Sequence, residues 1–159
     1  MFREIRRKDR LASTEAGIAL LNSCEYGVLS VIGDDDYPYG IPVNFAYQDN
    51  CIYIHGFLKG HKIDAIEKHS KVCFTAVEDA EVMKDQVATN FTSVIVFGKA
   101  ELIPPPENAE REKGFAAIID KYVPNEAERT TAYIRENEAN TNLIKIKIEH
   151  MTCKQRSTK

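Results

Sequence analysis

The chain has 159 residues, a length suited to a single domain, 1–159, folded around one sizeable core. Hydrophobic residues make up 43% and charged residues 28%, which excludes a disordered or fibrous chain, and a formal net charge of −3 is too mild for a nucleic-acid binder. No apolar stretch approaches the roughly 18 residues of a membrane span, and no signal-peptide pattern is present, so the expected location is the cytoplasm.

In chain order, the first ten residues gather Arg3, Arg6, Arg7, Lys8 and Arg10, which read as a solvated terminus or as an anion-attracting arm. A helix is expected to open at Ser13 or Thr14, with Glu15 in its first turn and Ile18, Leu21 and Cys24 on its buried side. The β-rich run Val28–Ile32 follows, closed by the turn residues Gly33-Asp34-Asp35-Asp36. From Tyr39 to Tyr47 every second residue is apolar, which predicts one strand with Tyr39, Ile41, Val43, Phe45 and Tyr47 on one face. Gln48-Asp49-Asn50 reads as a tight hairpin into the strand Cys51–His55, and short connections of this kind require antiparallel pairing. A short helix from about Gly60 to His69 directs Ile63 and Ile66 inward, and Val72–Val77 is a further strand. Residues 78–91 are polar and read as a loop, after which Val94–Ile103 is a long strand. The run Pro104-Pro105-Pro106 introduces a helix from about Glu107 to Tyr122, with Phe115, Ile118 and Ile119 inward, and a polar helix from about Asn125 to Glu138 follows. Finally Ile144, Ile146 and Ile148 alternate with Lys145, Lys147 and Glu149. Some six antiparallel strands with peripheral helices predict a small barrel that closes its own edges.

Cys24, Cys51, Cys73 and Cys153 are scattered without a CxxC pair. They read as reduced, and closely spaced metal ligands are missing, so no metal is expected. The chemistry-bearing residues lie elsewhere. His61 and Lys62 stand at a helix start, where cations oppose the macrodipole and Lys59-Gly60 replace the usual cap. A bound phosphate would resolve both defects by sharing the free backbone N–H groups and the ammonium. Pro42 lacks the ladder N–H, so it belongs at an edge, at a bulge or beside a ligand, and Asn44 shares its face with Gly40, Pro42 and Ala46, all small or polar. His55 ends an aliphatic strand beside Gly56, with an unperturbed pKa near neutrality.

Read in order, Arg6-Arg7-Lys8-Asp9, Gly27-Val28-Leu29-Ser30, Asp36-Tyr37-Pro38-Tyr39-Gly40-Ile41-Pro42-Val43, Ile52-Tyr53-Ile54-His55-Gly56, Gly60-His61-Lys62, Lys71-Val72-Cys73-Phe74 and Ser93-Val94-Ile95-Val96-Phe97-Gly98 form a pattern over almost the whole chain. It resembles the Nim-type 5-nitroimidazole-resistance proteins among the pyridoxamine 5′-phosphate oxidase-like, FMN-binding split barrels, as does Ile148-Glu149-His150-Met151-Thr152. The resemblance implies a mainly β (α+β) six-stranded antiparallel split barrel with peripheral helices, a homodimer, and FMN (or FAD) at the dimer interface. It implies that the backbone of Ile41, Pro42, Val43 and Asn44 lies along the flavin ring, with Ile54 and His55 flanking it. His61 and Lys62 then bind the phosphate, and Ser93 adds a polar group from the long strand. It further implies an oxidoreductase acting on a small nitroaromatic or related aromatic, with His55 donating a proton or hydrogen bond to substrate. The strand offers Tyr39 and Asn44 where true pyridoxamine phosphate oxidases carry basic residues, which argues against a vitamin B6 substrate. The residues leave open a flavin carrier without turnover, or a haem protein using His55 or His61 as axial ligand.

Overall fold

The computed structural model describes residues 2–106 and 108–157. Eight strands form one sheet: β1 (Leu11–Ala12), β2 (Tyr26–Ile32), β3 (Pro38–Asn44), β4 (Ala46–Gln48), β5 (Cys51–Phe57), β6 (Lys71–Met83), β7 (Ala88–Ile103) and β8 (Thr141–Arg156). Four helices accompany them: α1 (Thr14–Ser23), α2 (His61–Lys68), α3 (Ala109–Tyr122) and α4 (Ala127–Glu136). Every pairing is antiparallel, and the strands run in the order β3-β2-β6-β7-β8-β5-β4, with β1 added to β8.

That order closes the sheet. Its two edge strands, β3 and β4, are separated in the chain by Phe45 alone. One residue spans only about 7 Å between its neighbours' Cα atoms, so the sheet must curl until its edges meet at this corner. The predicted antiparallel split barrel with peripheral helices is therefore the fold. The predicted strand Tyr39–Tyr47 is broken at Phe45 for the same reason, although Tyr39, Ile41, Val43, Phe45 and Tyr47 do all turn toward the core. This break, together with the two-residue β1, raises the count from six strands to eight. At the following hairpin Asp49 and Asn50 both take positive φ, the geometry of the tightest β-hairpins.

The barrel interior is filled by Leu29, Ile52, Ile54, Phe74, Val94, Val96, Ile144 and Ile146, and α2 plugs it with Ile63 and Ile66. A second cluster forms where Phe115 and Ile118 of α3 cover Tyr53, Ile103 and Leu143. Helix α1 starts at the predicted Ser13, whose Oγ accepts from the Ala16 N–H at 3.2 Å. Its buried stripe is Gly17, Leu20, Leu21 and Cys24 rather than Ile18, because a side chain at Gly17 would crowd Cys153. The predicted α3 start at Glu107 lies outside the described residues; Asn108 caps the helix, its Oδ1 accepting from the N–H groups of Glu110 and Arg111 at 3.1 Å.

The predicted loop over 78–91 is instead a two-stranded ribbon. β6 and β7 stay paired through Glu78↔Thr92, a bulge, and Glu81↔Asn90 to Met83↔Ala88. Both faces of such a ribbon meet solvent, so no hydrophobic alternation is required and the sequence carries none. No helix among the described residues is long and apolar enough to cross a membrane.

Candidate functional site

Strand β3 pairs with β2 alone, so half of its backbone groups point away from the ladder. Ile41 and Val43 turn inward, while Gly40, Pro42 and Asn44 form its outer face; Ala46, expected on that face, lies beyond the break at Phe45 and is buried in the cluster under α3. Pro42 thus occupies an edge strand, where a missing N–H is tolerated. The Asn44 amide donates to the Glu25 carbonyl at 3.0 Å.

On β5 the Ile54 side chain is fully buried in the barrel, so only its backbone can meet a ligand on the opposite face. His55 takes that opposite face and is open to solvent on one side. Desolvation by the surrounding protein, and then the Lys62 ammonium, lower its pKa below the usual imidazole range. A Cβ on Gly56 would lie 2.9 Å from Lys62 Nζ, so it is the bare backbone of Gly56 that lets the half-buried ammonium rest on β5. Lys62 has no carboxylate within ion-pair distance among the described residues. Across the ladder from Gly56 stands Asn142, itself buried, with an Oδ1 that has no partner among the described residues.

Helix α2 begins at Gly60, whose φ of +134° suits glycine alone, and no side chain caps it. The Gly60 carbonyl accepts from Ile63 N–H at 2.8 Å and Asp64 N–H at 3.1 Å. The N–H groups of His61 and Lys62 precede the first intrahelical bond and have no partner among the described residues. A Cβ added at Gly60 would meet nothing within 4 Å, so this helix start faces open space.

The His61 ring is already engaged. It stacks on Tyr39 with centroids 4.3 Å apart, and its Nε2 accepts from the Asp34 N–H at 3.3 Å. Its side chain therefore fastens α2 to β3 and to the Gly33–Asp36 turn, and its backbone N–H is what faces the open helix start.

Beside His55 opens a cleft of 390 Å³ between α3, α4 and the ends of β3 and β5, with Asn44 and His55 both in its wall. The structure thus gathers Asn44 with His55, His55 with Lys62, and Tyr39 with His61. Ser93 stands apart: it shares the outer face of the sheet with Pro42, but β2 and β6 lie between their strands. Three strand spacings put it roughly 14 Å away. Sequence reasoning missed the cleft, because Phe115 and Ile118 read as core and Tyr133 and Ile134 sit in a helix that reads as polar.

A family model described as pyridoxamine 5′-phosphate oxidase matches residues 13–155. No curated protein matches the sequence. Among solved structures, a flavocytochrome from Azotobacter vinelandii superposes with a TM-score of 0.80 at 22% identity, over 98% of this chain and 73% of that one. A candidate 5-nitroimidazole antibiotic resistance protein from Bacteroides thetaiotaomicron gives 0.74 at 19% identity, over 91% and 85%. An FAD-binding protein from Mesorhizobium loti gives 0.68 at 21%, over 94% and 97%.

Proposed function

The chain belongs to the pyridoxamine 5′-phosphate oxidase family, and we propose that it is a flavin-binding oxidoreductase, holding FMN and acting on a small nitroaromatic or related aromatic substrate. The observation that carries this reading is the α2 start, where an uncapped helix, two N–H groups and a Lys62 ammonium that have no partner among the described residues stand beside open space. That is the donor set a phosphate group fits. Lys62 and the N–H groups of His61 and Lys62 hold the phosphate. The free edge of β3 from Ile41 to Asn44 offers backbone groups to the ring, and the backbone of Ile54 with His55 flanks it. When bound, the flavin supplies two-electron redox chemistry, which no side chain here provides.

The chain's own residues orient and protonate. Asn44 and His55 face one cleft, and His55 is the titratable group that can hand a proton to a substrate there. The basic side chains that would grip a phosphorylated vitamer are missing from β3, where Tyr39 packs on His61 and Asn44 is tied to Glu25.

The assembly belongs to the same reading. The outer face of β2, β6 and β7 carries Val28, Cys73, Val77, Ile95 and Phe97, of which Val77 and Phe97 are exposed. A homodimer would cover this surface, and only across it could Ser93 meet a flavin held by β3 of the other subunit. Four free cysteines accord with a reducing cytoplasm.

The test is direct. Purified protein should be yellow and release a flavin whose mass identifies FMN or FAD, and sedimentation should show a dimer that loosens when the flavin is removed. A colourless protein that takes up neither flavin overturns the reading, and a Soret band would replace it with a haem protein.

A further inference from the structure

Lys62 is a cation held at a defined place without a counter-ion. Its Nζ lies 2.9 Å, and its Cε 3.2 Å, from the point where a Cβ on Gly56 would stand. No carboxylate comes within ion-pair distance of that ammonium among the described residues. A lysine on its flexible four-carbon stem ordinarily carries its charge out into water. Here the side chain is half-buried and its end lies back on β5. Gly56 permits this, because any side chain in its place would occupy the same point.

The residue across the ladder is the second observation. Gly56 pairs with Asn142, and directly paired residues of an antiparallel ladder project to the same face. The next pair on that face, Ile54 and Ile144, lies in the barrel interior, so Asn142 stands at the interior's rim beside the Lys62 end. Its side chain is 3% exposed, and its Oδ1 has no partner among the described residues. A buried acceptor left in this way calls for a physical reason. Asp at this position would set an anion beside Lys62 and cancel its charge, and Leu would offer the ammonium nothing. Asn presents a neutral acceptor and leaves the positive charge for an anion from outside.

We propose that Gly56 and Asn142 are positioning residues that act through Lys62. The bare backbone of one and the neutral side chain of the other form a seat for the ammonium, and that seat selects a flavin carrying a phosphate over one without it. The selectivity rests on the flavin reading above. A phosphate gains a charge-assisted bond from a cation fixed beside it, and the hydroxyl that replaces it in riboflavin gains far less. The seat therefore adds to the affinity for FMN and not to that for riboflavin, and the ratio of the two affinities reads it directly.

The test titrates the full chain, stripped of flavin, with FMN and with riboflavin, following flavin fluorescence and recording the melting temperature of each variant. The unaltered protein should prefer FMN by at least about tenfold. Gly56→Ala displaces only the far end of a flexible side chain, so it should keep the fold and the riboflavin affinity. It should lower the FMN preference by about threefold or more. Asn142→Asp should lower that preference by about tenfold, and Asn142→Leu by a smaller factor. Combined with Lys62→Ala, which empties the seat, Gly56→Ala and Asn142→Leu should each leave the ratio where Lys62→Ala alone puts it. Losses as large without Lys62 as with it, an equal loss of riboflavin binding, or a ratio that none of these variants moves overturns the proposal while the flavin reading stands. If Gly56→Ala fails to fold, the cycle of Asn142→Leu with Lys62→Ala decides by the same criteria. Unaltered protein that takes up neither flavin overturns the flavin reading and the selectivity with it.

Discussion

Two interruptions of the backbone framework are handled in opposite ways. At Phe45, between β3 and β4, the Tyr122 hydroxyl accepts from the Phe45 N–H at 3.0 Å and lies 2.9 Å from the Phe45 carbonyl, within reach of the Glu25 carbonyl as well. Lys121, one residue earlier, donates to the Leu21 carbonyl at 2.9 Å and sits 3.7 Å over the Phe45 ring. At Gly60, between β5 and α2, comparable N–H groups have no partner among the described residues, and the Lys62 ammonium rests nearby on Gly56. Phe45 is fully buried, where an unmatched polar group is costly and water cannot substitute. The Gly60 junction is open, so a ligand can supply what the chain withholds. Groups of one chemical kind therefore separate scaffold from site by whether the fold itself satisfies them.

The largest expected effect lies on the open side. His55→Gln should retain flavin but lose roughly 10²–10⁴-fold in turnover. Because the His55 pKa is lowered, the activity limb that reports it should fall below the usual imidazole range, and Lys62→Ala should move it upward. Near-normal turnover in His55→Gln would return this residue to the scaffold. On the closed side, Tyr122→Phe strands the buried Phe45 N–H, and urea unfolding should show a loss of about 3 kcal/mol. Lys62→Ala should do the opposite, weakening FMN binding by about 1.5–3 kcal/mol in a titration of flavin-free protein while leaving its melting temperature in place. If Lys62→Ala instead melts the protein, the contrast between the two regions fails.

Smaller effects sharpen the comparison. Asn108 caps α3 as nothing caps α2, so Asn108→Ala should cost about 1 kcal/mol of stability by the same urea assay. Burial lowers the Lys121 pKa from 10.5 to about 8. Between those values the unfolded chain holds a proton that the folded chain has shed, so stability should rise with pH across that window from this group. Lys121→Met should flatten the slope, which denaturation midpoints measured from pH 7.5 to 10.5 would reveal.

The sequence exposes most of the scaffold because burial leaves a period. The alternation of Ile144, Ile146 and Ile148, the Asp49-Asn50 turn and the Ser13 cap all report local physics, and each stands where that physics puts it. The break at Phe45 leaves no local mark, since it follows from where the two sheet edges must meet. The ribbon over 78–91 is invisible for a related reason, because neither face is buried in the chain itself. At the site, Gly60-His61-Lys62 is legible as an unsatisfied helix start, yet the engagement of the His61 ring by Asp34 and Tyr39 depends on a turn 27 residues earlier. The apolar cleft is hidden, since Phe115 beside a cavity and Phe115 inside a core obey the same helical spacing.

The strand order has a kinetic corollary. β8 follows the other seven strands of this sheet in the chain, yet it stands in the middle of the sheet, between β7 and β5, with Ile54 meeting Ile144 and Val96 meeting Met151. Until Thr141–Arg156 leaves the ribosome, β5 and β7 each have an open edge, and the nascent barrel is two unjoined pieces. Pairings of such wide sequence separation place folding among the slower, high-contact-order domains. Closure therefore waits for β8, and the interval before it is when the exposed edges are open to pairing with another copy or to chaperone capture.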